Sequence, residues 1–437
     1  MSEDRKLEGR KIRIRVPVLA RVEGEGALDL SIENGMLSEL RLEIYEPPRF
    51  FEQFLIGNPA QDVIDRVARI CGICPVAYQM SAVQALEAIY GVEPSLWAQA
   101  MRRVMYCGEW LQSHSLHIHL LAAPDFFGVN SAAELARLDA HAVRRGLRLQ
   151  GLGNALIALF GGRSVHPVGV RVGGFHSAPS LVDVSAVTER LREARTEADE
   201  LLRWVASWSL PDDNQDFTSL ALRHPGEYPI LRGRLVSDAG HDLPIDQFDT
   251  HMREFQAPHS TALHALLDDK PYLVGPLARL NLNADCLPDE LRALLAEVGL
   301  ELPSRNMFHS ALARAAEIWL AVNEALSILQ DYAVPDSPYV EHQPCEGEGV
   351  GCTEAPRGVL WHRYTTDANG NVKTARIVPP TSQNQARIED DLRQSLLRLG
   401  LDKPEDELRL HGEKVIRNYD PCISCATHFL RLRVVRS

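Results

Sequence analysis

No run of about 18 apolar residues interrupts this 437-residue sequence, so it encodes no helical membrane span. The opening MSEDRKLEGRK is not followed by an apolar segment, and no secretory signal is expected. Positive charge is in deficit: 46 basic residues face 59 acidic ones, a formal net charge of -13. That balance excludes a general nucleic-acid or anionic-lipid surface and leaves proteins and small molecules as partners. Cysteine is scarce, at eight residues, too few for a secreted disulfide framework. A reducing cytoplasmic setting is therefore expected, with the thiols serving as ligands, nucleophiles or core residues. Internal repeats, low-complexity tracts and long polar linkers are absent as well. No glycine fingerprint for a dinucleotide occurs, so nucleotide chemistry has no home in this chain.

What is present is a long chain, 45% hydrophobic, able to bury a large core. Residues 11–45 alternate apolar and polar positions around Asn34-Gly35, which predicts an antiparallel hairpin sheet. From Gln61 the spacing turns helical, with helices predicted near 76–90, 95–121, 132–160, 180–208 and 308–331. A second hairpin is predicted in GVLWHRYTTDANGNVKTARIVPP, around its turn-rich DANGN. The expected fold is mainly α with small antiparallel β-sheets, an α+β chain with a large helical core and an N-terminal hairpin sheet. One domain over residues 1–437 is expected, because its most informative motifs lie near opposite ends.

Those motifs are two C-x-x-C pairs. Cys71 and Cys74 stand in RICGICPVAYQMSAVQALE, ahead of what reads as an amphipathic helix, and Cys422 and Cys425 stand in DPCISCATH. Random placement of eight cysteines would give roughly 0.15 such pairs, so the spacing is not accidental. Two thiolates three residues apart at a helix start converge on a soft metal ion, and the helix end favours the thiolate. Two pairs make a tetrathiolate site, open to a structural zinc, an iron-sulfur centre or another soft metal. A zinc knuckle usually stitches a short segment, whereas this site would join two ends of a well-cored chain. A thioredoxin-like reading needs two unrelated redox pairs and a strand-turn-helix context that Cys422 lacks.

The combination of RICGIC and DPCISCATH resembles the large, catalytic subunit of nickel-iron hydrogenases, specifically the cytoplasmic bidirectional group linked to NAD(P). Further markers are RVEGEG at 21–26, PPRFFEQFLIGNP at 47–59, SHSLHIHLLAAPD at 113–125, GGRSVHPVGVRVGGF at 161–175, YLVGPLARLNLN at 272–283 and EAPRG at 354–358. The resemblance implies that Cys71, Cys74, Cys422 and Cys425 ligate nickel. Cys74 and Cys425 would also bridge to an iron bearing carbon monoxide and cyanide. Hydrogen would be cleaved heterolytically, and Glu23 is implied as the first proton acceptor. Arg357 would overhang the iron, with Pro356 beside it, and Asp420 would pair with Arg357. Thr381, in PPTSQN, is implied as a second cyanide donor, with Ser382 as the neighbouring register. Glu52, the carbonyl of Ile377 and the side chain of His428 would hold a divalent ion, usually magnesium. Cys107, Cys286, Cys345 and Cys352 read as ordinary buried or partly buried thiols, and His114, His117 and His119 as packed or capping residues.

Two positions depart from the pattern. Tyr78 stands where many relatives have His, and Ser113 where many have Asp beside the arginine. The resemblance also implies maturation by an endopeptidase and nickel chaperones, with 429–437 as a cleaved peptide. Electrons would leave through an iron-sulfur small subunit, then through ferredoxin-like and flavin/NAD(P)-binding subunits. The alternatives are a hydrogen sensor on the same site and a structural subunit related to complex I, a relative that lacks the four cysteines.

Overall fold

A computed structural model describes residues 11–427; His428 and the tail 429–437 lie outside the described residues. Three antiparallel strands, Lys11–Val16, Gly26–Glu33 and Met36–Ile44, form the N-terminal sheet in that order. Ile12, Ile14 and Val16 point inward while Lys11, Arg13 and Arg15 face out, the alternation expected of an edge strand. The turn falls at Asn34-Gly35, with φ of 52° and 78°, the left-handed pair that a tight two-residue hairpin needs.

Helices supply most of the remaining mass. Helix Leu96–Leu116, capped by Ser95 accepting from the Ala98 amide at 3.2 Å, continues as a π-helical segment, His117–Ala122. The single helix expected over 132–160 is two, Ala132–Leu138 and Ala140–Gly161. Asp139 divides them because its side chain accepts from the Ala142 amide at 2.9 Å and caps the second helix. Gly108 and Gly153 let helices Leu96–Leu116 and Ala140–Gly161 pack backbone against backbone: a Cβ on Gly153 would lie 2.4 Å from the Gly108 carbonyl oxygen. Helices Leu181–Ala206 and Ser310–Gln330 complete this bundle, close to their expected bounds.

The helix Pro75–Tyr90 is not amphipathic as expected. It is buried on nearly every face, lying between the helical bundle and a second sheet of strands Gly347–Ala355, Gly358–Thr366 and Val372–Val378. The last two strands are the second hairpin predicted from DANGN, and the first is an added neighbour. A four-stranded sheet (Thr218–Arg223, Arg234–Ser237, Asp242–Leu243, Tyr272–Leu273) carries one parallel pair, between its first and last strands. Near it, strands Met252–Gln256 and Leu263–Leu267 pair antiparallel and pack on helix Pro380–Leu399. Helix Glu405–Asn418 then leads the chain back to the N-terminal sheet.

Candidate metal centre

Both cysteine pairs sit where loops run into helix starts. Cys74 occupies the N-cap of helix Pro75–Tyr90, with Pro75 supplying a first turn that needs no amide donor. Cys422 caps the single turn Ile423–Ala426. The two loops meet: Cys71 and Cys422 Sγ are 3.4 Å apart, Cys74 and Cys425 3.5 Å, Cys422 and Cys425 2.8 Å. All four thiols are buried. Hydrogen bonds from the other three thiols pull Cys71 well below the usual range. Burial instead pushes Cys422 and Cys425 up, so the favourable helix end expected from sequence is outweighed there. Sharing one proton-poor thiolate among crowded sulfurs is what a metal-binding pocket of this kind holds ready.

The chain ends are stitched together around this pocket. The Ile423 amide donates to the Glu23 carbonyl at 3.0 Å, and the Ser424 amide to Glu23 Oε2 at 3.1 Å. Arg49 donates to the Ile70 carbonyl at 2.8 Å and also to the Ser424 carbonyl, spanning both cysteine loops. Burial raises the Glu23 carboxyl above its ordinary range, and the Cys71 charge adds to it.

Arg357 is 3% exposed and lies in the turn between strands Gly347–Ala355 and Gly358–Thr366. Its Nε donates to the Asp420 carbonyl at 2.6 Å and Nη2 to Asp420 Oδ1 at 3.0 Å, the pairing expected from sequence. Burial opposes ionisation of Asp420, yet Arg357, His117 and Arg314 hold its carboxyl below the ordinary value. Arg357 Nη1 is buried with no hydrogen-bond partner. Thr381 Oγ1 accepts from the Cys422 amide at 3.0 Å and keeps its own proton to donate, whereas Ser382 donates to the Pro379 carbonyl at 2.9 Å. The Tyr78 and Ser113 hydroxyls are buried without partners, at the two positions that depart from the pattern.

Other expected residues divide. The Ile377 amide donates to Glu52 Oε1 at 2.7 Å, which brings these two expected residues together, and His428 lies outside the described residues. His114, His117 and His119 are buried packing residues: His114 Nε2 lies 2.8 Å from Glu317, and His117 Nε2 lies 2.8 Å from the Arg417 carbonyl. Cys107 and Cys352 are buried and Cys286 is half-buried. Cys345 contradicts the expectation of burial; it is exposed at the start of an edge strand, its thiol donating to the Ile89 carbonyl at 3.3 Å.

Two positioning residues went unread in the sequence. Glu109 on helix Leu96–Leu116 accepts from the amides of Val76 at 2.6 Å and Ala77 at 3.0 Å, satisfying the first turn after Cys74. Arg279 donates to the carbonyls of Ala355 at 2.8 Å and Pro356 at 3.0 Å, bracing the turn that presents Arg357. It is itself clamped by Glu317 and Glu354. Their signal was an ionisable residue inside an apolar helical pattern, a rare placement unless it is paired.

Four convergent sulfurs suit a soft metal, and the unpartnered Arg357 Nη1 is a buried donor that suits a centre bearing acceptor ligands. Residues 49–148 and 266–428 match the family described as nickel-dependent hydrogenase. The chain belongs to that family. It is a large subunit, 32% identical over 425 residues to the sulfhydrogenase 1 subunit alpha of Pyrococcus furiosus, covering 96% of this chain and 98% of the relative. The sulfhydrogenase 2 subunit alpha of the same organism is also 32% identical, covering 96% and 100%. The large subunit superposes on the crystal structure of an NAD+-reducing NiFe hydrogenase in its H2-reduced state with a TM-score of 0.86 and 26% identity, covering 95% and 99%. A Ni-Fe-Se hydrogenase of Desulfovibrio vulgaris Hildenborough shares the fold at a TM-score of 0.79 and 22% identity, covering 96% and 100%. No helix among the described residues of the subunit is long and apolar enough to cross a membrane.

Proposed function

We propose that this large subunit interconverts hydrogen with protons and electrons in a cytoplasmic complex. Its electrons would pass through an iron-sulfur small subunit and on, through ferredoxin-like and flavin subunits, to NADP or NAD. The observation that carries the reading is the four-sulfur pocket with Glu23 and Arg357 arranged around it. A nickel-iron centre held by Cys71, Cys74, Cys422 and Cys425, with carbon monoxide and cyanide on the iron, supplies the redox chemistry of hydrogen cleavage when bound.

The chain's own groups do the rest. Glu23, held by the Ser424 amide and short of water, takes the proton at its carboxylate and relays it outward. Its raised affinity for a proton, caused first by burial, favours uptake of a proton from the pocket. Arg357, permanently charged and anchored through two of its nitrogens by Asp420, would donate from its unpartnered Nη1 to a cyanide on the iron. The Thr381 hydroxyl, anchored at the Cys422 amide, is the second cyanide donor, and Pro356 lines the same wall. Glu52, the Ile377 carbonyl and His428 would hold the divalent ion, and 429–437 would be the peptide removed on maturation. The link to NAD(P) is supported by the likeness to the NAD+-reducing enzyme.

Metal analysis of the purified native complex with infrared spectroscopy tests this reading. Nickel, iron and iron-bound cyanide and carbonyl bands are expected, and properly matured complex without nickel or bands would overturn it. Glu23→Gln is expected to keep both metals and the bands while losing most hydrogen/deuterium exchange; full exchange in that variant would remove Glu23 from the proton path. Fast hydrogen-dependent reduction of NADP or NAD separates the enzyme from a sensor.

A further inference from the structure

A second set of potential ligands lies away from the four cysteines. His259 and His264 come from the hairpin Met252–Gln256/Leu263–Leu267, His259 in its loop and His264 on its second strand. Glu389 comes from helix Pro380–Leu399, more than two turns beyond Thr381. One ligand atom from each falls within 4.8 Å of the other two. His259 Nε2 is 2.7 Å from Glu389 Oε1, and that same oxygen accepts from the Leu42 amide at 2.9 Å.

His264 is the informative member. It is 1% exposed, and neither ring nitrogen has a hydrogen-bond partner. Its Nε2 stands 3.7 Å from Glu389 Oε2, too far for a hydrogen bond. A buried polar nitrogen left unpaired costs about 1–3 kcal/mol, so this vacancy calls for a ligand. A tetrahedral ion with bonds of about 2.1 Å holds its ligand atoms roughly 3.4 Å apart. His259 and His264 face different oxygens of the Glu389 carboxylate, at 2.7 and 3.7 Å, so rotation of that carboxylate brings one oxygen to an ion between the two rings.

We infer that His259, His264 and Glu389 form a divalent transition-metal site that takes zinc. Two imidazoles and one carboxylate are a common zinc donor set, and water fills the remaining position. Glu389 and His259 remain about one-fifth exposed, which gives the ion an entry path. Bound there, zinc clamps the hairpin to the helix that carries Thr381 and, through the Leu42 amide on Glu389, to the N-terminal sheet. The other surface triad, His241, His251 and Asp268, offers no such vacancy: His241 Nε2 and His251 Nδ1 already meet Asp268 at 2.7 and 3.1 Å.

The test equilibrates the purified complex with zinc, removes the excess by gel filtration and counts zinc by mass spectrometry. One zinc per chain more is expected in the wild type than in His259→Gln, and His241→Gln is expected to retain it. Zinc is expected to raise the melting temperature of the wild type and not of His259→Gln. Because His259 is half-buried in a loop, its variant folds even if Glu389→Gln does not. X-ray absorption at the zinc edge is expected to show imidazole nitrogen and oxygen. Equal zinc in the wild type and His259→Gln, or sulfur ligation of the zinc that differs between them, would overturn the proposal.

Discussion

Arg357 and Asp420 show how single residues were legible in the sequence and what was not. A permanently charged guanidinium in an apolar turn demands an anion, and Asp420 was the acid expected to supply it. What no sequence pattern reveals is that Asp420 binds through both its side chain and its backbone carbonyl, from a left-handed conformation at φ 53°. Asp and Asn tolerate that conformation better than other residues with a side chain. Asp420→Ala therefore loses the anion and strains the turn, and is expected to cost about 3–5 kcal/mol, the range for an orphaned buried charge. Asp420→Asn keeps an acceptor oxygen and the backbone preference, and its loss should be about half as large. Urea denaturation of the purified variants measures both; equal losses would show that the charge of the ion pair, not the backbone conformation, carries the effect. Glu109 and Arg279 were missed for the opposite reason. The backbone groups they brace lie far away in sequence and carry no residue-type signature, although an ionisable residue in an apolar helical pattern marks each of them.

At the scale of elements, the spacing that places Cys74 depends on an unread pattern. Gly347, Gly349 and Gly351 alternate along strand Gly347–Ala355, so all three face the same side. They meet Ile89, Ala85 and Ser81, which recur every four residues on helix Pro75–Tyr90. Two strand residues rise about 6.6 Å and four helix residues about 6 Å, so the two ladders stay in step. A Cβ on Gly351 would fall 1.9 Å from the Ser81 carbonyl oxygen and one on Gly349 2.1 Å from that of Ala85. Helix backbone cannot yield there without moving its own N-terminus, where Cys74 sits. Gly351→Ala is thus expected to lower nickel content several-fold in the purified complex, with a melting temperature reduced by several degrees. Unchanged nickel loading would show that the helix start is held by Glu109 alone. Helix and hairpin periodicity made most elements readable, including the Asn34-Gly35 turn. Helices Pro380–Leu399 and Glu405–Asn418 escaped because their composition is polar overall, although Ile388, Leu392 and Leu396 form a buried stripe on the first and Leu408, Val415 and Ile416 on the second. The break at Asp139 escaped because a cap inside a continuous helical pattern changes no period.

Across the whole molecule, the three histidines of the 114–119 stretch set a pH dependence that no single site reveals. Burial lowers His114 to about 4 and His117 and His119 to about 3, against an ordinary value near 6.5. Below that value the unfolded chain binds their protons and the folded chain does not, so their stability contribution is lost as pH falls. Burial also raises Glu354 to about 7 and Asp391 to about 6. These carboxyls act the other way, since the folded chain holds their protons between their ordinary values and these raised ones, and stability falls as pH rises through that window. Burial raises Glu23, Asp65 and Glu109 in the same sense as these two, so histidines and carboxyls oppose each other between pH 5 and 7. His176, His309 and His411, each lowered by burial, add in the same sense as the three. The stability that neutral His119 contributes is expected to shrink by about 2 kcal/mol between pH 7 and pH 5. Urea titrations of the wild type and a His119 variant at the two pH values measure this, and the same difference in stability at both would overturn it. His119 is the residue to vary: it stacks on Trp204 at 5.4 Å and bonds to the Ser115 carbonyl at 2.9 Å, apart from the cysteine pocket. His119→Gln is expected to lower stability at pH 7 and to reduce the acid slope, because its remaining amide carries no proton to lose or gain. A variant as steep as the wild type would assign the slope to the other histidines.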